Sequence, residues 1–246
     1  MVNHGLLGKL LDGNGNSPLH IAIRNAPLKC VETLLSSGLD PNLQSNNGET
    51  SLHIAIASRC ARMVEILLNR GADVSVRTTK GLTALHIAVQ QLDTDSESRL
   101  VELLLQKSQP VNTVDISGQT PLHYAISDRS TFELVLENGA NINAEDHGGR
   151  TPLYHAIQSD GIDVVELTLD RGIDLAAQFC DGTTPIHLAA RSMGASLQIL
   201  CEHARRFGMD IDCLDANGET PLSEAILHPD RVLSCSVDSL SISGSI

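Results

Sequence analysis

The sequence predicts a mostly helical repeat protein, an all-α-dominated solenoid of about six full helix–hairpin repeats and a partial seventh. Three observations lead to this fold class. A motif of the type Thr-Pro-Leu-His-x-Ala recurs seven times in the 246 residues, a glycine precedes each copy in step, and a second apolar block follows most copies. Residue classes that keep one register indicate a repeated unit, which can bury its apolar face only against its neighbours.

The apolar residue of the motif marks the register of each repeat. Successive copies are 33, 33, 37, 31, 33 and 36 residues apart. These gaps predict four extra residues between the helices of repeat three, a repeat four that is two residues short, and three extra residues in repeat six. The marking residues are Leu19, Leu52, Leu85, Leu122, Leu153, Ile186 and Leu222, and the glycines four residues before them are Gly15, Gly48, Gly81, Gly118, Gly149, Gly182 and Gly218.

Each motif predicts the start of a helix. A Ser or Thr before Pro suits a helix start because the hydroxyl accepts a free backbone N–H and the fixed φ of proline fits the first turn. Thr50 and Thr83 keep the cap without the proline. The complete pair occurs at Ser17–Pro18, Thr120–Pro121, Thr151–Pro152, Thr184–Pro185 and Thr220–Pro221.

The second block predicts a second amphipathic helix, with apolar residues at i, i+3 and i+4. The polar stretch between this helix and the next motif predicts a hairpin-like turn. Each repeat is therefore expected to be helix, turn, helix and projecting hairpin, with strands limited to hairpin stubs. Glycines placed to end the second helix in the left-handed conformation are Gly38, Gly71, Gly139, Gly172 and Gly208.

The motif and the period near 33 residues resemble the ankyrin repeat. The resemblance extends from about Asp12 to Leu227. It implies an ankyrin repeat domain over residues 12–230, with repeats that start near residues 12, 45, 78, 115, 146, 179 and 215. Residues 1–11 are predicted to be a capping helix or the remnant of an earlier repeat, and the Ser-rich residues 231–246 to be a disordered tail.

The composition argues against several function classes. The chain has 17 basic and 30 acidic residues, a net charge of −13, which disfavours phosphate backbones and anionic membranes as ligands. No apolar stretch approaches the roughly 20 residues of a membrane helix. Six cysteines without C-x-x-C spacing are interpreted as free thiols of a reducing compartment. We expect an intracellular chain, cytoplasmic or nuclear, that neither binds nucleic acid directly nor inserts into a membrane.

The chain is predicted to be no enzyme and to hold no cofactor or metal. Stacked repeats lie about 10 Å apart, too far for histidines of neighbouring repeats to share a metal at the roughly 2 Å of a Zn–N bond. Five of the ten histidines are instead predicted to hydrogen-bond the backbone of the adjoining turn: His20, His53, His86, His123 and His187. Cys30 and Cys201 are predicted to be core residues.

The resemblance also implies where the chain binds. In the ankyrin family the hairpin tips and the exposed parts of the first helices form a concave face that binds other proteins. The candidate partner-binding residues at the tips are Asn46, Asn47, Thr79, Lys80, Ile116, Ser117, His147, Cys180 and Asp181. Those on or near the first helices are Arg24, Gln90, Gln91, Asp128 and Arg191.

Three function hypotheses remain open. The first is a non-catalytic protein–protein interaction module that binds one or more partner proteins through the tips and the concave face, with the chain itself a monomer. The second is an inhibitor of a transcription factor, of the nuclear ankyrin-repeat type, with a basic partner. The third is the targeting domain of a larger enzyme, such as a kinase, ubiquitin ligase or acyltransferase, that is missing from this chain.

Overall fold

A computed structural model describes residues 10–90, 95–107, 110–173, 175, 178–179, 182–192 and 194–227. These residues contain α-helices, one 3₁₀ helix and no β-strand, so the predicted hairpins are turns without strand stubs. The chain divides into two compact units. The first unit comprises residues 1–124 and 137–140, and the second unit comprises residues 125–136 and 141–246.

The first unit is a two-layer stack of helix pairs. Its first helices pack on one another in sequence, α1 on α3, α3 on α5 and α5 on α7, while the second helices α4 and α6 form the other layer. The helices are α1 Pro18–Asn25, α2 Leu28–Ser36, α3 Ser51–Ala57, α4 Ala61–Asn69, α5 Ala84–Val89, α6 Asp95–Leu105 and α7 Pro121–Tyr124.

The second unit repeats this arrangement. Helix α9 packs on α11, α11 packs on α13, and the second helices α10 and α12 contact each other. Its elements are the 3₁₀ helix Ala125–Ser127, α8 Arg129–Glu137, α9 Pro152–Gln158, α10 Ile162–Asp170, α11 Pro185–Ser192, α12 Ser196–Phe207 and α13 Pro221–Leu227. The last residue of α8, Glu137, belongs to the first unit.

The irregular gaps between repeats have local explanations. In repeat four the α-helix Pro121–Tyr124 has only four residues, and the 3₁₀ helix Ala125–Ser127 follows it in sequence. In repeat six, α12 has 12 residues where α10 has nine, so most of the added length is helical. In repeat three, α6 begins at Asp95, and residues 91–94 lie outside the described residues.

The predicted helix signals are confirmed. Ser17 and Thr151 accept hydrogen bonds from the backbone N–H three residues later, with proline at the first helical position. The five glycines after the second helices have φ between +66° and +90°. The prediction for Cys30 is wrong: it is exposed, because the apolar face of α2 turns Val31 and Leu35 inward instead. Cys201 is buried as predicted.

The motif histidine joins neighbouring repeats. In repeat three the His86 Nδ1 accepts from the backbone N–H of Thr83 at 3.1 Å and from its hydroxyl at 2.8 Å. The Nε2–H then donates to the carbonyl oxygen of Gln119, in the next repeat, at 3.1 Å. The predicted backbone hydrogen bond is therefore confirmed for His86, whereas the Nε2 of His53 has no hydrogen-bond partner among the described residues. Equivalent bonds to the next repeat join His20 to Glu49 and His187 to Glu219.

Gly48 and Gly38 offer a matched test of close backbone approach. Both have positive φ, +73° and +86°, but a Cβ on Gly48 would lie 2.7 Å from the Thr79 nitrogen, whereas a Cβ on Gly38 would meet nothing within 4 Å. We expect Gly38→Ala to lower the free energy of unfolding by about 1 kcal/mol and Gly48→Ala by about 2 kcal/mol. Urea unfolding followed by circular dichroism measures both, and equal losses would show that the contact with Thr79 carries no cost.

Candidate functional site

Each hairpin tip is a four-residue turn that ends in glycine. In repeat four the N–H of Gly118 donates to the carbonyl of Asp115 at 3.1 Å, and the N–H of Asp115 donates to the carbonyl of Gln119 at 2.9 Å. The same pair of bonds closes the tips at residues 12–15, 45–48, 78–81, 146–149, 179–182 and 215–218. The main chain of the two middle residues of a tip takes no part in these two bonds. Among their side chains, Asn46 Nδ2 donates to the Gly13 carbonyl at 3.4 Å and Thr79 Oγ1 to the Asn47 carbonyl at 3.0 Å.

In the first unit the tips are joined into a row. The N–H of Asn46 donates to the carbonyl of Asn14, that of Thr79 to Asn47, and that of Ile116 to Lys80, at 2.9 to 3.1 Å. The candidate residues of this row are all exposed: Asn46, Asn47, Thr79, Lys80, Ile116 and Ser117. Ile116 is the most exposed apolar side chain of the described residues, at 63%. This row is the largest set of candidate residues that the structure brings together.

In the second unit the structure places one of the three candidate tip residues. His147 is exposed in the tip of repeat five. Cys180 and Asp181, the candidates at the tip of repeat six, lie outside the described residues.

The candidate residues on or near the first helices differ in exposure and in the bonds that they make within the fold. Gln90 is exposed at the end of α5, and Arg24 is half-exposed and pairs with Glu49 at 3.4 Å. Gln91 lies outside the described residues. The remaining two, Asp128 and Arg191, have bonds within the second unit.

Asp128 and Arg191 contribute to the fold itself. The Asp128 carboxylate accepts from the backbone N–H of Thr131 at 2.8 Å and so caps α8. These bonds help to hold the pKa of Asp128 below its usual range, although burial of the carboxyl opposes the change. Arg191 makes a bidentate pair with Glu224 at 2.7 and 3.2 Å. A partner that contacted either residue would compete with these bonds.

Four tips carry an aspartate whose carboxylate accepts main-chain N–H groups. In repeat four the Asp115 Oδ1 accepts from the N–H of Ser117 at 2.8 Å and of Gln119 at 2.9 Å. Asp12, Asp146 and Asp215 accept from the residues two and four positions later in the same way. The N–H of Glu219 is the main reason that the pKa of Asp215 lies below its usual range. We call the point where two such N–H groups converge the carboxylate cradle.

The other carboxylate oxygen faces the first helix in two repeats. The Tyr124 hydroxyl donates to Asp115 Oδ2 at 2.7 Å, and burial together with this bond raises the pKa of Tyr124. In repeat five, His155 lies 3.3 Å from Asp146 Oδ2. Sequence reasoning missed these contacts. The sequence does contain a signal for them at the position after the motif histidine. This residue is isoleucine in repeats one to three, but it is Tyr124 in repeat four and His155 in repeat five.

The net negative charge is not evenly spread along the sequence. Residues 1–90 contain 8 basic and 6 acidic residues, a net charge of +2, whereas residues 91–246 contain 9 basic and 24 acidic residues, a net charge of −15. The whole-chain value of −13 therefore does not describe residues 1–90, where the tips at residues 45–48 and 78–81 carry no acidic side chain.

Comparison with known proteins identifies the family. A family model described as ankyrin repeats (3 copies) matches residues 1–78, 19–115, 71–146 and 94–179, which together cover more than half of the chain. The chain belongs to the ankyrin-repeat family. Many solved structures match it as well, and comparison with curated protein sequences gave no match.

One similar structure is the ankyrin repeat domain of Bcl-3, described as a unique member of the IkappaB protein family. The two chains are 29% identical, with a TM-score of 0.72, and the match covers 85% of this chain and 93% of the Bcl-3 chain. Because ankyrin repeats are interaction modules, this ankyrin-repeat chain is a protein–protein interaction module.

Two further findings concern ligands of this ankyrin-repeat domain. Among its described residues, His, Cys, Asp and Glu side chains form no group of three that could hold a metal ion. None of the helices in the described part of the chain has the length and apolarity of a membrane span.

Proposed function

We propose that the chain is a non-catalytic binding module whose partner protein is held by the tips and the inner ends of the first helices. The observation that carries this proposal is the contrast in each repeat between buried motif residues and exposed tip residues. The motif Thr, Leu and His are buried and hydrogen-bonded or packed, whereas Asn46, Thr79 and Lys80 are exposed side chains on a rigid, glycine-closed turn. Exposed side chains on a rigid scaffold are well suited to recognition because little entropy is lost on binding.

The tip row of the first unit takes the main role in this proposal. Ile116 supplies an apolar contact, and Lys80, Asn46 and Asn47 supply polar ones, a mixture typical of interface residues. Gln90 and Gln91 are further candidates in the first unit, and His147, Cys180 and Asp181 are candidates in the second unit. Arg24, Asp128 and Arg191 contribute less, because the charged group of each is already held by an ion pair or by a helix cap.

A photo-crosslinking experiment tests the location of the binding face. A benzophenone amino acid is placed at Thr79 or Lys80 on the tips and, as controls, at the exposed Lys29 or Asn69 on the second helices. After incubation with cell lysate, we expect one set of crosslinked proteins from the tip positions and none of that set from the control positions. Crosslinks of equal yield from Lys29 or Asn69 would contradict the proposed face.

The double variant Thr79→Ala/Lys80→Ala separates binding from folding. We expect it to weaken capture of the crosslinked partner at least tenfold while it changes the free energy of unfolding by under about 0.5 kcal/mol, because both side chains are exposed. His86→Gln is the opposite control, since it breaks the bond to Gln119 and should lower the melting temperature. Pull-down titrations and thermal unfolding measure the two effects. Partner capture by the double variant equal to that by the unchanged chain would contradict the role of this tip.

A second candidate function is the inhibition of a transcription factor. The similarity to the Bcl-3 domain, a member of the IkappaB protein family, favours it. The acidic residues 91–246 would suit a basic partner. The free thiols of Cys30, Cys60, Cys201 and Cys213 agree with a reducing, intracellular setting. Mass spectrometry of the crosslinked partner distinguishes the two functions, because this candidate requires a DNA-binding protein.

A further inference from the structure

Repeat two departs from the tips that carry aspartate. Ser45 stands at the aspartate position, and its Oγ accepts from neither of the N–H groups that an aspartate bonds in the other tips. The N–H groups of Asn47 and Glu49 correspond to those that Asp115 Oδ1 accepts in repeat four. Within the described residues, neither N–H group has an acceptor. The cradle of repeat two therefore presents two donors where Asp12, Asp115, Asp146 and Asp215 each place a carboxylate oxygen.

The Ser45 hydroxyl reinforces this difference. Ser45 is 9% exposed, and its Oγ has no hydrogen-bond partner among the described residues. An unpaired buried hydroxyl is uncommon, because its desolvation is not compensated. Repeat two thus holds three unpaired polar groups at one tip, two N–H donors and one hydroxyl.

Repeat three shows the intermediate case. Thr78 occupies the aspartate position, and its Oγ1 accepts from the N–H of Leu82 at 3.2 Å. The N–H of Lys80 has no acceptor among the described residues. One of the two donors is therefore satisfied in repeat three, whereas both are open in repeat two.

The charges around this tip favour an anion. The following tip carries Lys80, and the Thr79 nitrogen is bonded to the Asn47 carbonyl at 2.9 Å, so these two tips are in direct contact. The preceding tip carries Asp12, whose carboxylate already accepts from the N–H groups of Asn14 and Asn16. The only carboxylate in the turn and its flank, Glu49, is paired with Arg24 at 3.4 Å. Converging main-chain N–H groups form anion-binding concavities in many proteins.

We propose that the cradle of repeat two binds a carboxylate from the partner protein, an Asp or Glu side chain that takes the place of the aspartate that this repeat lacks. Its oxygen accepts from the N–H groups of Asn47 and Glu49, and the Lys80 ammonium attracts the charge. This inference rests on the proposed function, since the carboxylate is supplied by a bound protein. It predicts a partner whose contact segment at repeats two and three is acidic.

Nuclear magnetic resonance of the full chain tests the cradle with defined probes. Sodium acetate supplies the carboxylate alone, and a blocked peptide of alternating glycine and glutamate supplies it on a chain, with sodium chloride at equal ionic strength as the reference. We expect saturable downfield shifts of the Asn47 and Glu49 amide protons with both probes. The peptide should half-saturate at a concentration at least threefold below that of acetate, because Lys80 attracts its further charges.

Two variants of Ser45 complete the experiment. Ser45→Asp places a carboxylate of the chain in the cradle and should abolish the response of both amides, while Ser45→Ala leaves both donors open and should keep it. The proposal is overturned by no saturable response with either probe, by an unchanged response in Ser45→Asp, or by acetate that binds as tightly as the peptide. The proposed function is tested separately by crosslinking at Thr79 and Lys80, so protein binding can stand when the cradle fails.

Discussion

Replacing Leu85 with alanine should lower the free energy of unfolding by about 2–5 kcal/mol. Leu85 is 0% exposed, and it lies on α5, which packs against both α3 and α7 in the first unit. The truncated side chain leaves a cavity between three helices that cannot collapse without moving the hydrogen-bonded tips. Urea unfolding monitored by circular dichroism gives the loss from the midpoint and slope.

Leu222→Ala is the matched control. Leu222 holds the same motif position in repeat seven but is only half-buried, and α13 packs on one first helix, α11. We expect a loss of about 1 kcal/mol, because the side chain removes less area from water. Equal losses at Leu85 and Leu222 would contradict a stability that depends on neighbours at both sides.

Acidification from pH 7 to pH 4 should remove about 3 kcal/mol of stability through His53 alone. Burial lowers the pKa of His53 from its ordinary 6.5 to about 4. The unfolded chain takes up a proton at pH 6.5 and the folded chain does so only near pH 4. The contribution of neutral His53 is therefore complete above pH 6.5 and is lost as the pH falls towards 4.

Other buried histidines add to this acid sensitivity, and the carboxylates act in a different range. Burial also lowers the pKa values of His20 and His86, so they destabilise the fold in the same direction. The pKa of Asp215 is also lowered, but for a carboxyl group this means that the folded chain favours the charged form. The stability that ionised Asp215 contributes is therefore lost only below its ordinary pKa of 3.8. In His53→Gln, urea unfolding at pH 7, 6, 5 and 4 should show a shallower loss. An unchanged pH dependence would exclude His53 as a cause.

Most of the fold could be predicted from the sequence because its determinants are local. The cap and proline of Thr151–Pro152 and the left-handed Gly172 act within one turn of chain, and the spacing of Leu85 and its equivalents reports burial directly. Cys30 shows the limit of this reasoning. The sequence placed Cys30 correctly in a second helix. Which face of that helix Cys30 occupies depends on where α2 begins, and α2 begins at Leu28, directly after Pro27.

The candidate site was predictable in its position but not in its chemistry. The exposed row at Asn46, Thr79 and Lys80 follows from the repeat register. The carboxylate cradle does not follow from the register. It requires the two N–H groups of a tip to converge on one oxygen, and this convergence is visible only in the three-dimensional structure. The sequence did contain a sign of it, since Ser45 and Thr78 interrupt the aspartates of neighbouring tips, but this appeared as ordinary variation without the geometry.

The fixed distance from each tip glycine to the following motif leucine determines where this chain tolerates change in length. In all seven repeats the apolar residue follows the glycine by four positions, from Gly15 and Leu19 to Gly218 and Leu222, while the gaps of 37, 31 and 36 residues arise elsewhere in the repeats. A residue added within such a segment would carry His86 out of reach of the Gln119 carbonyl. Repeats from different proteins should therefore be spliced outside this segment, in the parts of the repeat where the natural variation in length falls, with each glycine-to-histidine stretch transplanted whole.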